Sequence, residues 1–286
     1  MKNEVKLVKK IKRLLRRAKM PRWLHHFGPK KYEFWQHILA LFIRQACKLS
    51  FRRAVKLLLS LGFDVPSYSA LAKMNKRASR QCMQIFASTC SNAQVAVASI
   101  DATTLTRTNA SWHYMHRIDR EKPIGKPLKL SQIICTRTKK ILALRLRAVP
   151  RHDTKDVAYL LKHMRVKPRI LVADKGYDSE AVHELCAQKG IISMIPARKR
   201  VHKGFYRKKM MKHWRTRTYH RREMSEATFG SNKQKYGSSM NSRLFTTQRA
   251  DAYCRATLHN LSLVIQPEIF NSAVMCIIFK KLRCVR

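Results

Sequence analysis

A chain of 286 residues with 61 Lys and Arg against 16 Asp and Glu must fold while bearing a formal charge of +45. Such an excess opposes compaction through self-repulsion, and a polyanion normally offsets it. Nucleic acid is the leading counterpart and an anionic membrane the second. With 45% hydrophobic residues the chain has material for a sizeable core and is no disordered basic tail. Its length allows one large domain or two ordinary ones.

The apolar runs weaken the membrane reading. Those at His37–Ile43 and Ala273–Phe279 fall far short of the roughly 18–20 residues a spanning helix needs. No continuous apolar segment follows the basic N-terminus, so no secretory signal is expected. A lipid-surface helix at 4–18 is the one membrane option left, and no membrane partner is expected. The cysteines, Cys47, Cys82, Cys90, Cys135, Cys186, Cys254, Cys276 and Cys284, form no C-x2-C pair. Their scatter suits small buried hydrophobes in a reducing compartment rather than a zinc ribbon. His113 and His116 have no thiol or carboxylate nearby in metal-ligand spacing, so no structural metal is expected there.

The charge is concentrated. The first hundred residues hold only Glu4, Glu33 and Asp64 against 21 Lys and Arg, and 196–250 hold only Glu223 and Glu226 against 16. The N-terminal third has helical periodicity, with Val5, Val8, Ile11, Leu14 and Leu15 at three- and four-residue steps. A second periodic stretch covers about 32–48. Ser50 is placed to cap a helix to about Leu61, with Gly62 as its stop. A further helix from about Ser67 to Ser79 carries Lys73, Lys76 and Arg77. The segment 50–80 has the outline of a helix-turn-helix DNA reader or of a plain helical hairpin with a solvated basic face. The charge excess favours DNA contact.

Ser91–Asn92 is a candidate boundary. Beyond it, strands are expected at 95–105, 129–135 and 141–149, with Lys139–Lys140 as a turn. A helix capped by Asp153 follows to about Met164, then a strand at 170–173. A helix capped by Asp178 runs to about Lys189, before a strand at 191–195. This order implies a mixed α/β sheet of five strands layered with helices. Residues 197–218 interleave cations with rings, among them Trp214, which suits either a solvated basic loop or a surface tracking phosphates and bases. A helix is expected through the low 230s and another at 250–265.

Three acids stand out. Asp101 lies within the first strand and Asp174 ends the apolar fourth; each is a costly place for a carboxylate unless it is paired, hydrogen-bonded or metal-bound. Glu226 falls on a helical stripe with Tyr219, Arg222 and Lys233, all within an arc of about 60° at about 100° per residue. An ordinary i,i+4 pairing of Arg222 with Glu226 is the plainer alternative.

These residues resemble insertion-sequence transposases of the DDE type, specifically the group marked by Y-(2)-R-(3)-E-(6)-K. Tyr219, Arg222, Glu226 and Lys233 fit that spacing. Ser99-Ile100-Asp101-Ala102-Thr103 is similar to the family's first-Asp strand, and Ala173-Asp174-Lys175-Gly176-Tyr177-Asp178-Ser179 to its second-Asp motif. The similarity spans about 95–265. Pro66-Ser67-Tyr68-Ser69-Ala70-Leu71 and the helices around it resemble the family's DNA-binding lead-in.

The resemblance implies a helical DNA-binding domain at 1–92, a ribonuclease-H-like catalytic domain at 93–267, and a tail at 268–286 with no assigned role. It implies that Asp101, Asp174 and Glu226 bind two divalent ions, normally Mg2+ with Mn2+ able to substitute. Arg222, Lys233 and Tyr219 would contact phosphates near the cleaved end. Water would nick the element end, and the freed 3′-OH would attack target DNA. The roughly twenty residues between the fifth strand and the catalytic helix are too few for the inserted β domain of larger relatives. Trp214 is then the one candidate for an aromatic pocket handling a hairpin. The implied partners are element ends and target DNA, with a homodimer pairing two ends, in a prokaryotic cytoplasm at the nucleoid. A silent DNA-binding descendant and a related nuclease are the competing readings.

Overall fold

The computed structural model describes residues 2–24, 27, 29–90, 95–107, 117, 126–198 and 203–263. The Ser91–Asn92 boundary, His113, His116, Cys276, Cys284 and the 268–286 tail lie outside them. The chain forms two compact units, residues 1–89, 235–237 and 244–286, and residues 90–234 and 238–243.

The first unit is helical. It contains α1 (Lys2–Arg17), α2 (Phe34–Ala46), α3 (Phe51–Ser60), α4 (Tyr68–Arg77) and α5 (Ser79–Thr89). Ile11, Leu14 and Leu15 are buried, as their spacing requires. The Ser50 hydroxyl accepts from Arg53 N at 3.3 Å and caps α3. Gly62, at φ +79°, ends it: Phe63 N donates to Leu58 O and Gly62 N to Leu59 O, each at 3.0 Å. Ser67 likewise caps α4 through Ala70 N at 3.3 Å. The continuation into α5 was not expected from the sequence. Cys82, Ile85 and Phe86 are buried on it.

The last described helix, here α11 (Phe245–Ser262), also packs in this unit, on α2, α4 and α5. It brings Asp251, whose Oδ1 accepts from Arg44 on α2 at 2.8 Å and from Asn75 on α4 at 3.1 Å. Both ionic side chains are nearly sealed from water, 7% and 2% exposed. One carboxylate thus joins three helices.

The second unit is a mixed sheet of six strands in a bed of helices. Its strands are β1 (Val95–Arg107), β2 (Leu128–Cys135), β3 (Ile141–Arg147), β4 (Pro168–Ala173), β5 (Ile192–Met194) and β6 (Ser239–Met240). The order is β3-β2-β1-β4-β5. β1, β2 and β3 pair antiparallel, and β1, β4 and β5 parallel. The sixth strand, not expected from the sequence, pairs parallel with the far end of β1 at Thr106 and Arg107. Helices α6 (Thr154–His163) and α7 (Glu180–Gln188) cover one face, where Ile100, Leu160, Leu171, Val182 and Cys186 share a core. On the other face Val97, Val172 and Met194 meet Trp214 and Tyr219.

Two expected caps are corrected. Asp153 occupies the N-cap position of α6, but its side chain makes no cap bond and pairs with Lys129 instead. Asp178 does not cap α7, whose N-cap is Ser179. It is buried and accepts from Arg207 Nε at 2.7 Å and Arg198 N at 2.8 Å, with His183 Nε2 at 3.2 Å. The other nitrogen of His183 meets Ser193 Oγ at 2.8 Å. This Asp–His–Ser chain is sealed inside the core, so it braces β5 and has no access to a substrate.

The 197–218 segment, for which no helix was expected, contains α8 (Phe205–Met211) and the single-turn α9 (Thr216–Tyr219). Glu180 on α7 accepts from Tyr206 N at 2.7 Å and Arg207 N at 3.2 Å, which satisfies the first amides of α8. A Cβ on Gly204, at φ +123°, would lie 2.1 Å from that carboxylate, so only glycine lets α8 start there. Among the described residues between β5 and the next helix there is no strand. Those residues place no inserted β domain there.

The described cysteines are all free, and all but Cys47 are buried. Among the described residues no helix is long and apolar enough to cross a membrane.

Candidate active site

Strand alternation sets the first acid. Ala98 and Ile100 face the α6/α7 core, so Val97, Ser99 and Asp101 face the opposite side. Ile100 pairs in parallel register with Ala173, so Asp101 and Asp174, the next residue on each chain, emerge together at one end of the sheet.

Helix α10 (Glu223–Tyr236) lies across that face and presents Glu226. It is docked by a buried contact of 2.5 Å between Ser225 Oγ and Ser99 Oγ. The Y-R-E-K stripe is not one continuous helix. Tyr219 ends α9, His220–Arg222 form a 3-10 turn, and Glu226 and Lys233 lie on α10. The stripe nevertheless reaches one place. Arg222 Nη1 donates to Glu226 Oε1 at 3.1 Å, and Lys233 Nζ to Thr103 Oγ1 on β1 at 2.8 Å. Gly230 interrupts nothing in α10.

Arg222 is electrostatically common to the site. Burial alone would lower its proton affinity, but Tyr219, Asp174, Glu226 and Asp101 together raise it. The Asp101 carboxyl is pushed above the ordinary range, mostly by burial, with added repulsion from Glu226 and Asp153. Its own bond from Ala102 N, at 2.7 Å, and Arg222 oppose the rise. Asp174 and Glu226 are exposed and Asp101 is half-buried.

Asp153 is the residue missed from the sequence. It lies near Asp101 and, like Asp174, borders Gly176: a Cβ there would sit 3.7 Å from Asp153 Oδ2 and 4.0 Å from Asp174 Oδ2. Beneath them is Tyr177, buried and held far above the ordinary phenol value by burial and by Asp153, Asp101, Asp156 and Asp174. No spacing rule marks Asp153; its position ahead of α6 suggests only a cap.

The donor set fits divalent cations in kind, since Asp101, Asp174 and Glu226 offer hard carboxylate oxygens from separate elements. Among the described residues, no three His, Cys, Asp or Glu side chains are gathered closely enough to hold a metal ion. The bond to Arg222 engages Glu226, and the guanidinium supplies the positive charge that the acids share.

The remaining expected contacts fall elsewhere. Trp214 packs at a tilt on Tyr219, ring centroids 4.9 Å apart, against Val97, Val172 and Met194, so both rings are half-buried on the sheet. Lys73, Lys76 and Arg77 are exposed on α4, opposite buried Leu71 and Asn75, in the helical unit.

The sequence model of a family described as the transposase DDE domain matches residues 96–261. No curated protein matches the sequence. Among solved structures, the cryo-EM structure of the piggyBac transposase synaptic complex with hairpin DNA aligns with a TM-score of 0.51 at 10% identity, covering 98% of this chain and 80% of that one. At that identity the likeness speaks for the fold. The Mos1 transposase paired-end complex with left transposon end aligns over 94% of this chain and 87% of that one at 12% identity, but its TM-score of 0.24 carries no argument. The mixed sheet is thus the ribonuclease-H-like one found in transposases, and with a family match over more than half its length this chain belongs to the DDE transposase domain family.

Proposed function

We propose that this chain is a DNA transposase of the Y-(2)-R-(3)-E-(6)-K insertion-sequence group. It nicks the ends of its element and joins the freed 3′-OH to target DNA. The observation that carries the reading is the register that sets Asp101 on β1 beside Asp174 at the end of β4, with Glu226 of α10 joined to Arg222.

Asp101, Asp174 and Glu226 would hold two divalent ions, Mg2+ or Mn2+. When bound, these activate the attacking oxygen and stabilise the leaving one. Arg222 is suited to grip a phosphate through its planar fork once released from Glu226, and Lys233 offers a point charge held over β1 by Thr103. Tyr219 is braced by Trp214, so its hydroxyl is positioned rather than free to wander. Lys73, Lys76 and Arg77 would meet element-end DNA from the helical segment of 50–80, within a DNA-binding region of 1–92 that precedes catalytic residues of 93–267. A homodimer in a prokaryotic cytoplasm, at the nucleoid, would pair two ends.

The test is Mg2+-dependent nicking of terminal-repeat DNA. Asp101→Asn, Asp174→Asn and Glu226→Gln should each lose at least about a hundredfold in rate, several kcal/mol of barrier, while still binding DNA. Variants that cut like wild type would remove the acids from the chemistry.

A further inference from the structure

A cavity of about 660 Å³ opens in the sheet unit near the start of β1. Val97 lines it, four residues before Asp101, which places it ~13 Å back along the strand from the acids. Its floor is apolar, with Val95, Leu142 and Val166 buried beneath it. Its mouth carries Arg137 and Lys140 from the β2–β3 turn, Lys167 and Arg169 from the entry to β4, and Arg221 from the 3-10 turn. Among the described residues, no carboxylate and no aromatic ring lines it. None of these five cations has an ion pair among the described residues, and all but half-buried Lys140 are exposed.

Two further details shape the mouth. Gly190 lies under Lys167: a Cβ there would come within 2.9 Å of Nζ, so glycine leaves room for the ammonium to fold across the opening. The 3-10 turn places neighbours in different sites, with Arg222 among the acids and Arg221 lining the cavity.

We infer that this cavity is a second DNA-binding site, which takes the phosphate backbone of a duplex at a distance from the catalytic acids. Cations from three separate segments ring an opening, which suits a polymer bearing regularly spaced charges better than a single small anion. With no ring to stack on, the site grips backbone and not unpaired bases. Its occupant is target or flanking DNA, held by the sheet unit while the acids act on the cleaved end. The inference rests on the reading of this chain as a DNA transposase.

The experiment measures duplex binding by fluorescence anisotropy across a salt series, with the full chain. Arg137→Gln/Arg169→Gln should flatten the slope of log K against log salt by about 0.9 for each lost phosphate contact, close to two in all. Lys155→Gln/Lys162→Gln, which removes equal charge from exposed positions on α6, should leave it within about half a unit. A cavity pair that shifts the slope no more than the α6 pair overturns the inference. Inorganic pyrophosphate is the second arm. If it raises the melting temperature of wild type but not of the cavity pair, and the duplex slopes agree, the site holds a free phosphate compound and the DNA assignment fails. A wild-type chain with no affinity for any duplex overturns the transposase reading itself; wild-type binding with an unaltered slope overturns the cavity alone.

Discussion

Arg222 carries two opposed demands. Its bond to Glu226 neutralises an acid, and its surroundings raise its proton affinity. Replacing it with Gln should leave the acids repelling one another. The metal-free Arg222→Gln variant is therefore expected to melt lower than wild type, and Mg2+ to raise its melting temperature by a few °C more than it raises that of wild type. Nicking should fall by roughly 30- to 100-fold, the worth of one charge-assisted phosphate contact. Calorimetry with and without Mg2+ separates the two effects. The strand positions of Asp101 and Asp174 were legible from the sequence because a carboxylate amid apolar strand residues is conspicuous. Asp153 was not, because its role comes from what folds beside Gly176. Asp178 was misread as a cap for the same reason: its partners, Arg207 and the Arg198 amide, come from a segment that looked like loop.

At the scale of elements, strands and their order were readable because apolar runs, turns and caps agree locally. Short pieces defined by tertiary contact were not. β6 exists only by pairing with β1, and α8 only because Glu180 satisfies its first amides. The expected single helix bearing Tyr219, Arg222, Glu226 and Lys233 is instead a short helix, a 3-10 turn and α10, because a turn of tighter winding carries no distinct sequence mark. Docking of α10 rests on Ser225 and Ser99. Ser225→Ala leaves the Ser99 hydroxyl without that partner and should destabilise the sheet unit by about 1–2 kcal/mol in denaturant melts. The Asp178–His183 brace gives a pH signature. Burial depresses the His183 imidazole against the pull of Asp178 and Glu180, with Arg207 adding to the depression. Burial alone would raise Asp178, but its bonds to the Arg198 amide, Arg207 and His183 outweigh that and hold it low. Both signs agree. An imidazole depressed in the fold contributes stability above its unfolded value and loses it as pH drops below about 6.5; the carboxylate's share is lost at lower pH still. Unfolding monitored from pH 7.5 to 5 should show falling stability that His183→Gln flattens, at up to about 1.4 kcal/mol per pH unit.

Across the whole molecule, the scarce acids occupy few kinds of place. Asp101, Asp174, Glu226 and Asp153 gather at the candidate site, while Asp156, Asp178 and Asp251 are buried among arginines. Removing one of the second kind strands a cation in the interior. Asp251→Ala should cost about 3–5 kcal/mol, since Arg44 then lacks its buried counter-charge. Loss should appear first in hydrogen exchange of α2, α4 and α11. That Asp251 sits inside, and that α11 belongs with the N-terminal helices, depends on a pairing between residues about two hundred positions apart and left no local trace.

That pairing also dictates an order of events during synthesis. The sheet unit is complete once residue 243 has emerged, but the helical unit waits for α11, which supplies Asp251 and the packing for α2, α4 and α5. Local contacts form before distant ones, so the sheet unit that carries Asp101, Asp174 and Glu226 can close ahead of the helical unit. A message cut short before α11 therefore yields a complete sheet unit and an N-terminal unit that lacks its closing helix.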